Sequence, residues 1–172
     1  MLTLESFKAA RSVLQSVLRP TPLIHSPYLS KNCGNSVYLK PENMQATGAY
    51  KLRGAYYKIS TLSQEEKERG LVTASAGNHA QGVAYAAQAA GVAATIVMPT
   101  TTPLVKVNNT KDYGARVVLH GEVFDDAAEL AAKMAEEEGL TYVHPFNDLT
   151  LATGQGTIAY EIFQDLPDVE AI

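Results

Sequence analysis

The residues best suited to covalent chemistry lie in Thr47-Gly48-Ala49-Tyr50-Lys51-Leu52-Arg53-Gly54-Ala55. One lysine follows a glycine-containing turn and an aromatic residue. The chain behind it reads as helix from about residue 50, with Tyr50, Gly54 and Lys58 at i, i+4 and i+8. A lysine in a first helical turn sits against the positive end of the helix dipole, which disfavours its ammonium form. The free ammonium has a pKa of about 10.4, and lowering it is what an amine nucleophile needs. Taken alone, the segment reads more simply as a solvated helix lysine, so the rest of the chain must decide.

The second candidate is Thr73-Ala74-Ser75-Ala76-Gly77-Asn78-His79-Ala80-Gln81-Gly82, placed where a strand turns into a helix. Ligands of open α/β sheets bind at that edge. A turn of small residues leaves backbone N–H groups open at the helix N-terminus, which suits a carboxylate or phosphate. Asn78 would add a side-chain donor and Ser75 a hydroxyl; the plainer alternative is an N-cap by Ser75 or Asn78. No second histidine stands at metal-ligand spacing from His79, so no metal site is expected.

Gly154-Gln155-Gly156-Thr157 imitates a dinucleotide fingerprint, but Asp148-Leu149-Thr150-Leu151 is a poor strand to precede it. These glycines are expected to let the start of a helix pack closely. His144, before Pro145, and the lone Cys33 are read as structural or incidental.

Around these segments, 172 residues suffice for one ordinary domain or two small lobes. The net charge of −4 gives no support for nucleic-acid binding. No apolar run approaches the roughly 20 residues of a membrane span. The N-terminus lacks a signal-peptide pattern, so a cytoplasmic protein is expected. Leu4, Phe7, Leu14, Val17 and Leu18 predict a first helix over about 4–18, and Leu23-Ile24 and Ser36–Lys40 predict short strands. From residue 71 a regular alternation sets in. Strands are predicted at 71–74, 94–98, 116–120 and 141–144, and helices at 78–90, 104–113 and 123–138. Such alternation implies parallel strands joined by right-handed crossovers. A helix at 154–166 and a strand begun at Asp168–Ile172 complete the reading.

Four segments in this order, Thr47–Ala55, Ser75–Gly82, His144-Pro145-Phe146-Asn147-Asp148 and Ala152-Thr153-Gly154-Gln155-Gly156-Thr157, resemble the N-terminal half of the threonine dehydratase family. These are fold type II pyridoxal-phosphate enzymes, related to serine dehydratase and serine racemase. The resemblance implies an α/β fold with a parallel four-stranded small lobe at about 70–147. Residues 1–69 and 148–172 would be parts of a larger, incomplete cofactor-binding lobe.

It further implies that Lys51 links covalently to pyridoxal 5'-phosphate and that Tyr50 packs on its ring, where relatives carry phenylalanine. Asn78 would hydrogen-bond the cofactor's 3′-oxygen. Ser75, Ala76, Gly77, Asn78 and His79 would grip the substrate carboxylate. Serine racemases carry a serine at the position of Ala76, used to protonate the opposite face of the substrate carbon. An alanine has no proton to give, so dehydration is favoured. Threonine would yield 2-oxobutanoate and ammonia, and serine pyruvate, with the freed lysine amine taking the α-proton.

In relatives a glycine run that cradles the cofactor phosphate follows the strand begun at Asp168–Ile172, and a later residue meets the pyridine nitrogen. Neither lies within these residues, so the chain is expected to be an N-terminal portion that holds the cofactor less tightly. A homo-oligomer is expected. The alternatives are a folded, inactive fragment that self-associates, or a racemase or β-replacement relative.

Overall fold

The alternation of apolar runs and helices after residue 70 builds one parallel sheet, in a computed structural model that describes residues 2–172. Its strands are β3 (Leu71–Ala74), β4 (Ala94–Met98), β5 (Arg116–Leu119) and β6 (Thr141–Tyr142), in the order β5-β4-β3-β6. Every residue of β3 and β4 is buried, as a central parallel strand covered on both faces requires. Leu71 registers with Ala94 on one side and Thr141 on the other. Helices α5 (Asn78–Ala90), α6 (Leu104–Asp112) and α7 (Phe124–Glu137) are the crossovers.

Two apolar layers sandwich the sheet. On one side α5 contributes Ala80, Val83, Ala84 and Ala87 against Ile96 and Met98; on the other α7 sets Ala127, Ala131 and Met134 against Val72 and Val97. The run of alanines lets α5 lie close to the strands.

The preceding chain holds α1 (Leu4–Leu14), β1 (Ile24–His25), α2 (Pro27–Cys33), β2 (Tyr38–Leu39), a 3₁₀ turn at Glu42–Met44, α3 (Lys51–Ser60) and α4 (Gln64–Glu68). β1 and β2 pair antiparallel, apart from the main sheet. Ser63 and Glu66 form the expected capping box at the start of α4.

Several expectations are corrected. The first helix stops at Leu14 rather than near residue 18; Ala10 and Leu14 are its buried positions, while Leu4 is exposed. α2 was not anticipated, although Ser26 caps it, Pro27 opens it and Gly34 closes it in the left-handed region at φ 71°. The expected strands at 36–40 and 141–144 shrink to two residues each. Asp168–Ile172 forms no strand, since no neighbouring strand among the described residues pairs with it.

The last correction matters most. The final helix, α8, runs Leu149–Asp165, opened by Asp148, whose Oδ1 accepts the N–H groups of Thr150 and Leu151. Gly154 and Gly156 therefore lie inside the helix and not at its start. Their use is helix crossing. A Cβ on Gly154 would stand 2.7 Å from the Arg53 carbonyl oxygen and 2.7 Å from the Gly54 Cα. One on Gly54 would stand 2.6 Å from the Leu151 carbonyl oxygen. Helices α3 and α8 thus touch backbone to backbone. Gly154→Val is expected to force the pair apart and cost about 2–3 kcal/mol, read as a lowered denaturant midpoint. An unchanged midpoint would rule out this crossing.

Candidate active site

Two helix ends and one loop meet around Lys51. Lys51 is the first residue of α3, and no side chain caps that helix. The backbone arrives through a turn in which the Gly48 N–H donates to the Gln45 carbonyl at 2.8 Å, with Gly48 at φ 70°. The side chain is partly buried. Its Nζ donates to the Pro145 carbonyl at 3.3 Å and stands 5.7 Å from the centroid of the Tyr50 ring. Among the described residues no carboxylate comes within 4.0 Å of it, so the amine is not committed to an ion pair.

The loop after β3 reaches the same place. A Cβ on Gly82 of α5 would stand 3.2 Å from the Lys51 carbonyl oxygen, which sets α5 directly against the start of α3. At the N-terminus of α5, Gly77 occupies the cap position and no side chain caps the helix. The Ser75 hydroxyl instead accepts the Gly77 N–H at 3.2 Å, and Asn78 is exposed with its Oδ1 turned to Lys106. The plainer alternative, an N-cap by Ser75 or Asn78, is not what the structure holds. The first N–H groups of α5 stay open, at the positive end of the dipole.

His79 points inward. It is 4% exposed, and neither ring nitrogen makes a hydrogen bond. Burial first, then the Lys51 ammonium, pushes its pKa down to about 4, with the nearby Val143 backbone opposing the shift and the His144 ring adding least to it. The folded ring is therefore neutral at pH 7. Since the unfolded ring titrates near 6.5, the unfolded chain binds more protons between pH 6.5 and 4. Stability is complete above pH 6.5 and is lost as pH falls toward 4, by up to about 1.4 kcal/mol per unit. A series of denaturation midpoints over this window should show the slope, and His79→Asn should flatten it.

His144 serves the loop behind Lys51. Its Nδ1 accepts the N–H groups of Phe146 at 3.2 Å and Asn147 at 2.8 Å, and so holds the turn that presents the Pro145 carbonyl. That agrees with a structural reading. Cys33 is exposed at the end of α2, remote in the chain from these groups.

What sequence reasoning missed is the frame behind Lys51. Arg53, 1% exposed, donates from Nε and Nη2 to Glu42 at 2.8 Å each, from Nη1 and Nη2 to Glu161 at 3.0 and 2.9 Å, and from Nη1 to the Thr157 hydroxyl at 3.0 Å. Lys40, at 2.8 Å from Glu161, and Arg11, whose Nε stands 3.7 Å from the same carboxylate, join the cluster. Burial works against both carboxylates, but the bonds from Arg53, aided by Thr21 and Gln45 at Glu42 and by Lys40 at Glu161, hold them below the usual range. This cluster ties the turn before Lys51 to α8, while Lys58 meets Asp148 at 2.8 Å farther along α3. The one hint in the sequence is an arginine on the helix face that also carries Gly54, with Glu42 eleven residues earlier.

Two surface cavities, of about 300 and 890 Å³, lie beside α1 and α8 and beside β2 and the last residues. Neither is lined by Lys51 or Ser75–His79, and the chemistry is not placed there.

Residues 14–172 match the family model described as pyridoxal-phosphate dependent enzyme. The chain belongs to this family. It is 54% identical, over its full length, to an L-threonine ammonia-lyase of Thermotoga maritima, of which it covers 43%. It is 48% identical to a catabolic L-threonine dehydratase of Staphylococcus aureus, of which it covers 50%. Among solved structures, threonine deaminase isoform 2 of Solanum lycopersicum superposes with a TM-score of 0.90 at 43% identity, covering 96% of this chain and 46% of that one. Maize serine racemase superposes with a TM-score of 0.92 at 32% identity, covering 97% and 51%. The chain thus spans about half the length of these relatives.

The residues present suit the family's cofactor at its aldehyde end, where an amine without an ion-pair partner stands, while the uncapped end of α5 beside it suits an anion such as a substrate carboxylate.

Proposed function

We propose that this chain supplies the lysine-bearing half of a pyridoxal-phosphate dependent enzyme that dehydrates and deaminates threonine, and serine, to 2-oxobutanoate or pyruvate and ammonia. The observation that carries this is the meeting of an unpaired Lys51 amine with the uncapped N-terminus of α5, joined by the close approach of Gly82 to Lys51. Names of the relatives at 54% and 48% identity support the substrate class.

In this reading the amine of Lys51 would hold the cofactor covalently and, once the substrate amine has displaced it, would be free as the base for the substrate α-proton. The bound cofactor supplies an electron sink for the charge that proton loss leaves. The N–H groups opening α5, in the Ser75–His79 loop, hold the substrate carboxylate. Asn78 donates to the cofactor's ring oxygen, and Tyr50 packs on its ring. Ala76 offers no hydroxyl to the opposite face of the substrate, which favours dehydration over racemisation. Residues 70–147 act as a small lobe, since the whole main sheet lies within them. Segments 1–69 and 148–172 belong to a larger lobe, joined where α3 crosses α8. A cytoplasmic location and a homo-oligomeric state complete the proposal. Among the described residues no helix is long and apolar enough to cross a membrane.

The test is direct. The chain is mixed with pyridoxal phosphate, reduced with borohydride and digested. The cofactor's mass should appear on the peptide that carries Lys51, and unreduced samples should release ammonia from threonine. Label scattered over surface lysines, without ammonia release, would overturn the reading. Self-association in light scattering would then favour a folded, non-catalytic fragment.

A further inference from the structure

Lys106 reaches the candidate site from a separate element. It lies in the first turn of α6, where Val107 and Thr110 are buried and the Thr110 hydroxyl donates to the Lys106 carbonyl at 2.9 Å. Its Nζ stands 3.3 Å from Oδ1 of Asn78. We propose that Lys106 is a positioning residue that holds the Asn78 side-chain amide with its NH₂ turned toward the bound cofactor. The proposal rests on the reading above that Asn78 faces pyridoxal phosphate.

Two physical points carry it. An ammonium only donates, so the amide can turn only its oxygen to Lys106, which leaves both amide hydrogens for an acceptor elsewhere. Asn78 is exposed, and among the described residues no other hydrogen bond holds its side chain. Left to itself, an asparagine oxygen at a helix start turns to the backbone N–H groups nearby. Lys106 draws the oxygen away and so keeps those N–H groups open as well. No carboxylate among the described residues lies within 4.0 Å of Lys106 to compete for its charge.

The experiment has two readouts. In the chain without cofactor, the Asn78 side-chain amide signals in a ¹⁵N–¹H spectrum, assigned through Asn78→Asp, should shift in Lys106→Met and stay in place in Lys106→Arg. With pyridoxal phosphate added, the concentration that half-saturates the visible band should rise about tenfold in Lys106→Met, the loss of one hydrogen bond, and recover in Lys106→Arg. In an Asn78→Ala background, Lys106→Met should change nothing further. An additive loss in that background, or an Asn78 amide indifferent to Lys106→Met, overturns the proposal. Absence of the band in the unaltered chain overturns the cofactor reading instead, and the amide signals then decide the role of Lys106 alone.

Discussion

Arg53→Met should cost about 3–5 kcal/mol of folding stability, the largest single loss expected outside the chemistry itself. Among the described residues the guanidinium is the one group that meets both Glu42 and Glu161, and it does so from a position that is 1% exposed. Removing it leaves two carboxylates facing each other without a common partner, where the desolvation penalty of each is no longer offset. Lys40 and Arg11 still meet Glu161, but among the described residues Glu42 keeps only the Thr21 hydroxyl and the Gln45 amide. Lysine at position 53 cannot fork to both carboxylates and should recover only part of the loss. Adding Glu42→Gln and Glu161→Gln to Arg53→Met should recover more, since the stranded charges are then gone. Chemical denaturation measures all of this, and a loss below about 1 kcal/mol for Arg53→Met would contradict the proposed frame.

The same cluster shapes the acid limb. Both carboxylates have folded pKa values below their ordinary range. Their contribution is complete above the unfolded value near 4.3 and is lost as pH falls through the folded values. Together with His79, which acts between pH 6.5 and 4, this predicts a two-stage loss on acidification. Arg53→Met should remove the lower stage and spare the upper.

Lys51→Ala should abolish covalent uptake of pyridoxal phosphate and lower any threonine-dependent ammonia release at least ~10³-fold. The fold should hardly notice. The Lys51 side chain makes one hydrogen bond, to the Pro145 carbonyl, and no ion pair among the described residues, so its loss from the edge of α3 should leave the denaturation midpoint within roughly 0.5 kcal/mol of the parent. That separation marks a residue kept for chemistry. Uptake by Lys51→Ala equal to that of the parent, after reduction and digestion, would show that another lysine holds the cofactor.

The contrast between these two residues shows how much was legible from the chain alone. The parallel α/β region could be read because its information is local: apolar runs of strand length, helical spacing between them and glycines that end helices. Helix α5 and strand β4 fall on the expected residues. α2 carried local signals too, in Ser26, Pro27 and Gly34, but its polar composition hid them. The order of the four segments named the family, and with it Lys51, Ser75–His79 and a cofactor.

Other features depend on partners far away in sequence. A glycine does not announce whether it opens a helix or lies inside one. Only the crossing of α3 on α8 shows that Gly54 and Gly154 serve each other. Nor does an arginine two residues from Lys51 announce that it is buried between acids at positions 42 and 161. Lys106 lies 28 residues from Asn78 and meets it only because α6 packs on α5. Lys51, the Pro145 carbonyl and the start of α5 come together only on folding, because burial and alignment of polar groups are properties of packing. The sequence by itself determined the family and the residues on which the proposed chemistry rests. The tertiary structure decided what holds them in place: a buried ion cluster, a glycine crossing and an uncapped helix end.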